Sequence, residues 1–273
     1  MSRVSITADD FGLSEAVNEG VERAHRDGVL TAASLMVAAP AAADAVARAR
    51  RMPGLRVGLH LVAVEGPAML PPAEIPALVD ATGWFPADQL RLGLRYFFLP
   101  PVRRQLAREI RAQFTAFAAT GLALGHADAH KHMHLHPTVG RLLVEIGREY
   151  GLRRVRVPAE PPDVMARLGA PGGHALHAWS RLLRSQVRRA GMTAPDAVFG
   201  LAWSGGMTAE RVRRLVGVLP PGDIELYFHP ATRRDALLDR LMPDYDHEGE
   251  LAALCDPAVW AALAHETKKG VLF

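Results

Sequence analysis

Residues 3–28 read "RVSITADDFGLSEAVNEGVERAHRDG", and the way this stretch folds decides the reading of the whole chain. "RVSITA" (3–8) is a strand candidate. Ser14 is placed to cap a helix that runs to the neighbourhood of Gly28. Strand followed directly by helix is one βα unit, and the pair Asp9-Asp10 falls at its turn.

The same rhythm continues along the chain. Strands are predicted at "AASLMV" (32–37), "LRVGLHL" (55–61), "LALGHADAH" (122–130), "RVRVP" (154–158), "DAVFGLA" (196–202) and "DIELYFH" (223–229), with a last one at "GVLF" (270–273). Helices are predicted at 42–51, 101–120, 138–150, near 208–218 and over 247–264. Repeated strand–helix alternation points to an α/β class with a parallel sheet. This many units in 273 residues favours one TIM-like (β/α) barrel over two doubly wound domains. Residues 1–273 are therefore read as a single catalytic domain. Two stretches rich in Pro, Gly and apolar residues, 63–100 and 159–195, break the rhythm and are expected to be lid-like insertions at the catalytic face.

Composition narrows the class. The one cysteine, Cys255, excludes an intramolecular disulfide and a cysteine-based metal cluster. The N-terminus carries no signal-peptide pattern, and no run of about 18 apolar residues occurs. A cytoplasmic protein is expected. Net charge is only +3, but arginines cluster at 100–114 and 180–191. A solvated helix face is the plain explanation. The second cluster also sets Trp179, Leu182, Leu183 and Val187 beside its arginines, as contact with the inner face of a membrane would need. Nucleic acid is not expected, because no binding motif accompanies the charge. Oligomeric state is not legible.

Polar residues gather where a barrel places its chemistry, at the C-terminal ends of strands. They are Asp9 and Asp10, His60, Asp128 and His130, Arg156, Glu225 and His229. In "HADAHKHMHLHP" (126–137), five of the chain's twelve histidines alternate with small or apolar residues. Asp128 and His130, two apart on a strand, would point the same way about 6.6 Å apart. Aspartate with histidine suits zinc or a related divalent ion that keeps a position open for water. Each piece also has an ordinary explanation: Asp-Asp before Gly as turn chemistry, His60 as a core histidine, the histidine run as a polar edge. Their joint placement favours a site.

"TADDFGLS", "VGLHL", "DAHKHMHLHP", "RVP" and "ELYFHP" resemble, in order, the signature blocks of the YdjC/ChbG family of carbohydrate deacetylases, over about residues 3–230. "SLMVAAPAAADAV" and "LRYFFLPPVRRQL" are similar to its hopanoid-associated branch, the HpnK type. The resemblance implies a distorted barrel related in layout to the NodB-type deacetylases, with one divalent ion. That ion would be zinc, with nickel, cobalt or magnesium as alternatives. It implies metal ligands at Asp10, His60 and His130, Asp9 as general base, His229 as general acid, and Arg156 orienting a carboxylate. Asp128, His132, His134 and Glu225 would support the site or line the sugar pocket. His136-Pro137 would open the next helix. Ala129 stands where relatives often have serine.

The narrower likeness implies deacetylation of N-acetylglucosaminyl bacteriohopanetetrol to its glucosaminyl form. "LRLGLRYFFLPP" (90–101) and "HAWSRLLRSQV" (177–187) offer apolar residues, Phe97 and Trp179 among them, to such a lipid. Soluble chitooligosaccharides are the alternative substrate. A sugar- or metal-binding module without turnover is the alternative of another class.

Overall fold

Nine residues, Arg3–Phe11, form the longest strand (β1), and all but Arg3 are buried. In this computed structural model, which describes residues 3–170 and 174–267, β1 lies inside a sheet whose every pairing is parallel. Helix α1 (Glu15–Asp27) follows, capped by Ser14, whose hydroxyl accepts from the Val17 amide. The chain continues through β2 (Ala32–Leu35), α2 (Ala42–Arg50), β3 (Arg56–Leu61), α3 (Gln89–Phe98), α4 (Pro100–Ala119) and β4 (Ala127–Ala129). A tight 3-10 turn, His130–Leu135, leads into α5 (Pro137–Glu149). Then come α6 (Pro162–Arg167), α7 (His174–Arg189), β5 (Ala197–Phe199), α8 (Ala209–Val216), β6 (Asp223–Phe228), α9 (Ala236–Leu241), α10 (His247–Leu254) and α11 (Pro257–Thr267).

The strands order as β4-β3-β2-β1-β6-β5 in one curled sheet, so the expected α/β barrel is present in distorted, half-barrel form. It is not closed by a ladder between β4 and β5. The predicted strand at 154–158 is replaced by an extended segment with single bridges, Ala127 to Val155 and Arg154 to Thr193. Pro158 has no amide to extend the pairing. The segment still spans the gap: Arg156 N donates to Ala127 O at 3.0 Å and Val198 N to Ala159 O at 3.2 Å.

One further expectation is corrected. The tail helix over 247–264 is two helices, because Asp256 caps a new start at Pro257, its carboxylate accepting from the Ala258 amide at 2.6 Å. The 63–100 and 159–195 stretches, read as lid-like insertions, hold α3, α6 and α7. The strand predicted at 270–273 lies outside the described residues.

Alternation along each strand sorts the two faces. Val4, Ile6, Ala8, Leu59, Leu226 and Phe228 join the apolar core, packed against the helices. Ser5, Thr7, Ser34, His126, Asp128, Glu225 and Arg156 are buried polar residues on the opposite, inner side. Gly58 makes room there: a Cβ at this position would meet the His126 ring at 2.5 Å. Among the described residues, no helix is long and apolar enough to cross a membrane.

Candidate functional site

In a regular strand Asp9 and Asp10 would face opposite sides of the sheet. They do not, because Asp10 takes φ 60° and the register with β2 slips between Ala8 and Phe11. The bulge turns both carboxylates inward. A left-handed residue other than glycine costs on the order of 1–2 kcal/mol, so the conformation must be held. Two histidines hold it. His130 Nδ1 lies 3.0 Å and His60 Nε2 3.2 Å from the same oxygen, Asp10 Oδ1.

His60 comes from the end of β3, and its other nitrogen, Nδ1, lies 2.8 Å from Asp128 Oδ1 on β4. That bond leaves Nε2 for the Asp10 side, the way an outer carboxylate orients a metal-ligating histidine. Donor atoms of Asp10, His60 and His130 all lie within 4.8 Å of one another, and all three residues are buried. Asp10 Oδ2 and His130 Nε2 have no hydrogen-bond partner. Two imidazoles, one carboxylate and two unpartnered buried atoms fit a divalent cation. Asp9, His60 and Asp128 are equally close together. In that trio, however, both carboxylates are already occupied by Arg156, so the Asp10 trio is the better metal site.

Electrostatics point the same way. Burial opposes a charge on His60, but the carboxylates of Asp128, Asp9 and Asp10 outweigh it and raise its pKa to about 10. Burial likewise opposes ionisation of Asp10, yet His130 and His60 hold it well below the usual carboxylate range. Asp9, Asp10, Asp128 and Glu225 are answered inside the sheet by Arg156 and His60. A ligating imidazole is neutral, so an ion at the trio would replace the proton on His60 Nε2 and answer the four acids together with Arg156.

Arg156 organises the other half of the site. Its Nη1 and Nη2 grip Asp9 at 2.6 and 2.8 Å, Nη1 reaches Asp128 Oδ2 at 2.8 Å, and Nε donates to Glu225 Oε1 at 2.9 Å. The Tyr227 ring lies 4.8 Å from the guanidinium carbon. Despite burial, Arg156 and His60 draw the Asp128 pKa far below its ordinary value. Ser34 donates to Asp128 Oδ2 at 2.8 Å and sits 2.9 Å from His126 Nε2. Glu225 pairs with Ser5 in mid-strand rather than standing at the strand end. It therefore supports Arg156 from below and cannot face a substrate.

His229 follows β6 directly. Its amide donates to Glu250 Oε2 at 2.5 Å, its carbonyl accepts from His247 Nδ1 at 2.7 Å, and its ring lies 5.0 Å from that of Tyr245. Burial disfavours its charged form, but Glu250 more than compensates and raises its pKa. Tyr227, Tyr245, His247 and Glu250 were not singled out in the sequence. Only Glu250 carries a signal, as a buried acid within an apolar helix.

The histidine run divides. His130 leaves the strand, and Lys131 and His132 take φ 50° and 52°, turning the chain sharply. His132 Nε2 lies 2.9 Å from the Tyr227 hydroxyl. His134 is fully buried, donates to Arg156 O at 2.9 Å, and has its pKa pushed down to about 4 by burial. It braces the Arg156 backbone through that bond. His136 precedes Pro137, the first residue of α5, without a side-chain cap. Phe97 and Trp179 are not at the donor trio. They line a cavity of about 770 Å³ beside it, whose wall includes His132 and Lys131. Leu183 and Val187, expected beside the arginines at the surface, are buried, whereas Trp179 and Leu182 are exposed.

Known proteins share this architecture. A carbohydrate deacetylase of Geobacillus stearothermophilus is 31% identical over 261 residues, 95% of this chain and 91% of the relative. One of Brevibacillus brevis is 38% identical over 160 residues, 59% of each chain. The match thus spans little more than half of some relatives' length. The crystal structure of a candidate cellobiose-phosphate cleavage protein from Enterococcus faecalis superposes with a TM-score of 0.77 at 22% identity, covering 100% of this chain and 96% of the other. A lactam utilization protein from Thermus thermophilus gives 0.51 at 16% identity, covering 97% of each chain. Residues 3–265 match the family described as YdjC-like protein, and the chain belongs to that family.

Proposed function

We propose that this protein is a metal-dependent deacetylase of an N-acetylated sugar, and that the sugar is the headgroup of a hopanoid lipid. The buried cluster of Asp10, His60 and His130, with Asp9 and His229 beside it, carries the first half of the reading. Full-length likeness to a relative named carbohydrate deacetylase supports it. Asp10, His60 and His130 would hold the ion, zinc by the character of the donors. When bound, such an ion polarises the amide carbonyl and the attacking water.

The remaining steps belong to the protein's own groups. Asp9, fixed by the two-pronged grip of Arg156, accepts a proton from the water as its oxygen bonds to the acetyl carbon. His229, whose pKa Glu250 raises against burial, returns a proton to the sugar nitrogen as the C–N bond breaks. Acetate and a free amine leave. Asp128 holds His60 in the required tautomer, and His132 with Tyr227 forms the side of the site nearest the cavity.

The apolar cavity supports the lipid half. Leu94, Phe97, Phe98, Trp179 and Leu201 line it, with Lys131 and His132, the two residues that follow His130 in the chain. A sugar ring could stack on Phe97 or Trp179 but would leave the leucines uncovered, whereas the tail of N-acetylglucosaminyl bacteriohopanetetrol would cover both. The stretches at 63–100 and 159–195 act in this reading as the walls that receive the tail. Phe97→Ala with Trp179→Ala is the test, read as acetate release from the hopanoid and from N-acetylchitobiose. A selective loss on the hopanoid is expected. Equal losses, or a faster wild-type rate on chitobiose, assign the enzyme to soluble chitooligosaccharides instead.

A further inference from the structure

Nine large apolar side chains stand exposed among the described residues, and all but Met69 and Trp260 belong to α3, its closing residue Leu99, or α7. Helix α3 is apolar on both sides. Leu92 and Tyr96 are buried against the protein, while Leu90 and Phe98 stand 75% and 65% exposed. An exposed apolar patch on a helix whose other side is already buried marks an interaction surface.

Charge identifies what covers it. Residues 89–104 contain Arg91, Arg95, Arg103 and Arg104, and residues 179–189 contain Arg181, Arg184, Arg188 and Arg189; neither stretch has an acidic residue. The acid just before α3, Asp88, is used as its N-cap and accepts from the Arg91 amide at 2.9 Å. Arg184 turns toward the carbonyls of Pro195 and Asp196, while Arg91, Arg181 and Arg188 are exposed. A second copy would meet the same patch about a twofold axis, setting arginine against arginine with no acid in either stretch to relieve it. An anionic bilayer offers hydrocarbon for the aromatic and leucine side chains and phosphates for the guanidinium groups. The helices α3 and α7 both pack on α5, and the cavity lies between them, so its lining runs into the patch.

We propose that α3 and α7 form a docking face for an anionic phospholipid bilayer, with the apolar cavity opening at the bilayer surface. The docking goes beyond the substrate reading and can fail separately from it. The test is co-sedimentation of the whole protein with vesicles of phosphatidylcholine alone and of an equimolar mixture with phosphatidylglycerol. Binding is expected to the mixed vesicles and to fall with added salt. Arg91→Glu combined with Arg181→Glu changes only exposed residues outside the cavity lining. At roughly fivefold in partitioning per basic residue, it should weaken binding at least about twentyfold with unchanged thermal unfolding. Leu182→Ser should weaken it further.

Failure to bind the mixed vesicles, binding indifferent to lipid charge, or a stable dimer that shields Trp179 from a fluorescence quencher would overturn the docking. Acetate release from the lipid-linked sugar in detergent is measured alongside. Release without vesicle binding overturns the docking alone, and vesicle binding without release overturns the substrate reading alone.

Discussion

Replacing Arg156 by methionine isolates the largest electrostatic commitment in the interior. The side chain is 1% exposed and touches Asp9, Asp128 and Glu225. Methionine fills similar volume but leaves three buried carboxylates without their cation. Removing one partner of a buried ion pair costs about 3–5 kcal/mol, a large share of a total stability of about 5–15 kcal/mol. With a urea slope of about 2–3 kcal/mol per molar, the midpoint should fall by about 1–2.5 M in chelator-treated protein. The loss should depend on pH with a definite sign. Arg156 lowers the folded pKa values of Asp128 and Glu225. Their contribution is therefore present above the unfolded carboxylate values, about 3.9 and 4.3, and is lost as pH falls through the folded ones. In the variant only His60, His126 and Arg154 still oppose burial, so those pKa values rise relative to the wild type; its deficit is full at neutral pH and narrows as pH falls below the variant's folded values. Arg156→Lys should be intermediate, because an ammonium restores the charge but not the fork. A neutral-pH loss below about 1 kcal/mol, or a deficit that grows on acidification, would refute the reasoning.

The donor trio and the base separate by metal content. His130→Ala should lose both the ion and activity, whereas Asp9→Asn should keep the ion and lose about 10²–10⁴-fold in rate; elemental analysis with acetate release checks both, and full metal in His130→Ala rejects the ligand set. Glu250→Gln should lower the pKa of His229, which Glu250 raises against burial. An acid works while protonated, so the alkaline limb of the pH–rate profile should move to lower pH. An unmoved limb would remove His229 from that role.

What the sequence reveals follows from which forces are local. The βα units at 3–28 and 32–51 are legible because strand alternation, the Ser14 cap and the helix stop lie within a few residues of one another. Polar residues collected at strand ends are legible for the same reason. Helix α3 is hidden because Leu90, Leu94 and Phe98 face outward and blur the apolar period of the buried stripe at Leu92, Gly93 and Tyr96. The failed strand at 154–158 and the divided tail turn on single residues, Pro158 and the Asp256-Pro257 step, set within otherwise convincing patterns. The inward turn of Asp10 is invisible, since a left-handed residue leaves no mark in composition. Glu250 reaches His229 only through tertiary packing, far beyond the range of any motif.

Asp128 explains why the two halves of the site need one fold. Its Oδ1 fixes His60 beside Asp10, and its Oδ2 accepts from Arg156 and Ser34 on the side of Asp9. Asp9 is bound by the same guanidinium. A rotation of the Asp128 carboxylate therefore cannot release His60 without also disturbing the group that aims Asp9. Each of these contacts depends on an inward-facing position from a different strand or segment: Ser34 on β2, His60 on β3, Asp128 on β4, and Arg156 from the chain that bridges the open side of the sheet. Arg156 also explains the shape of that bridge. A regular strand at 154–158 would pair its amides with both neighbours, whereas the extended segment leaves Arg156 O free to accept from His134. The irregular closure of the barrel and the position of its central cation are thus one structural fact.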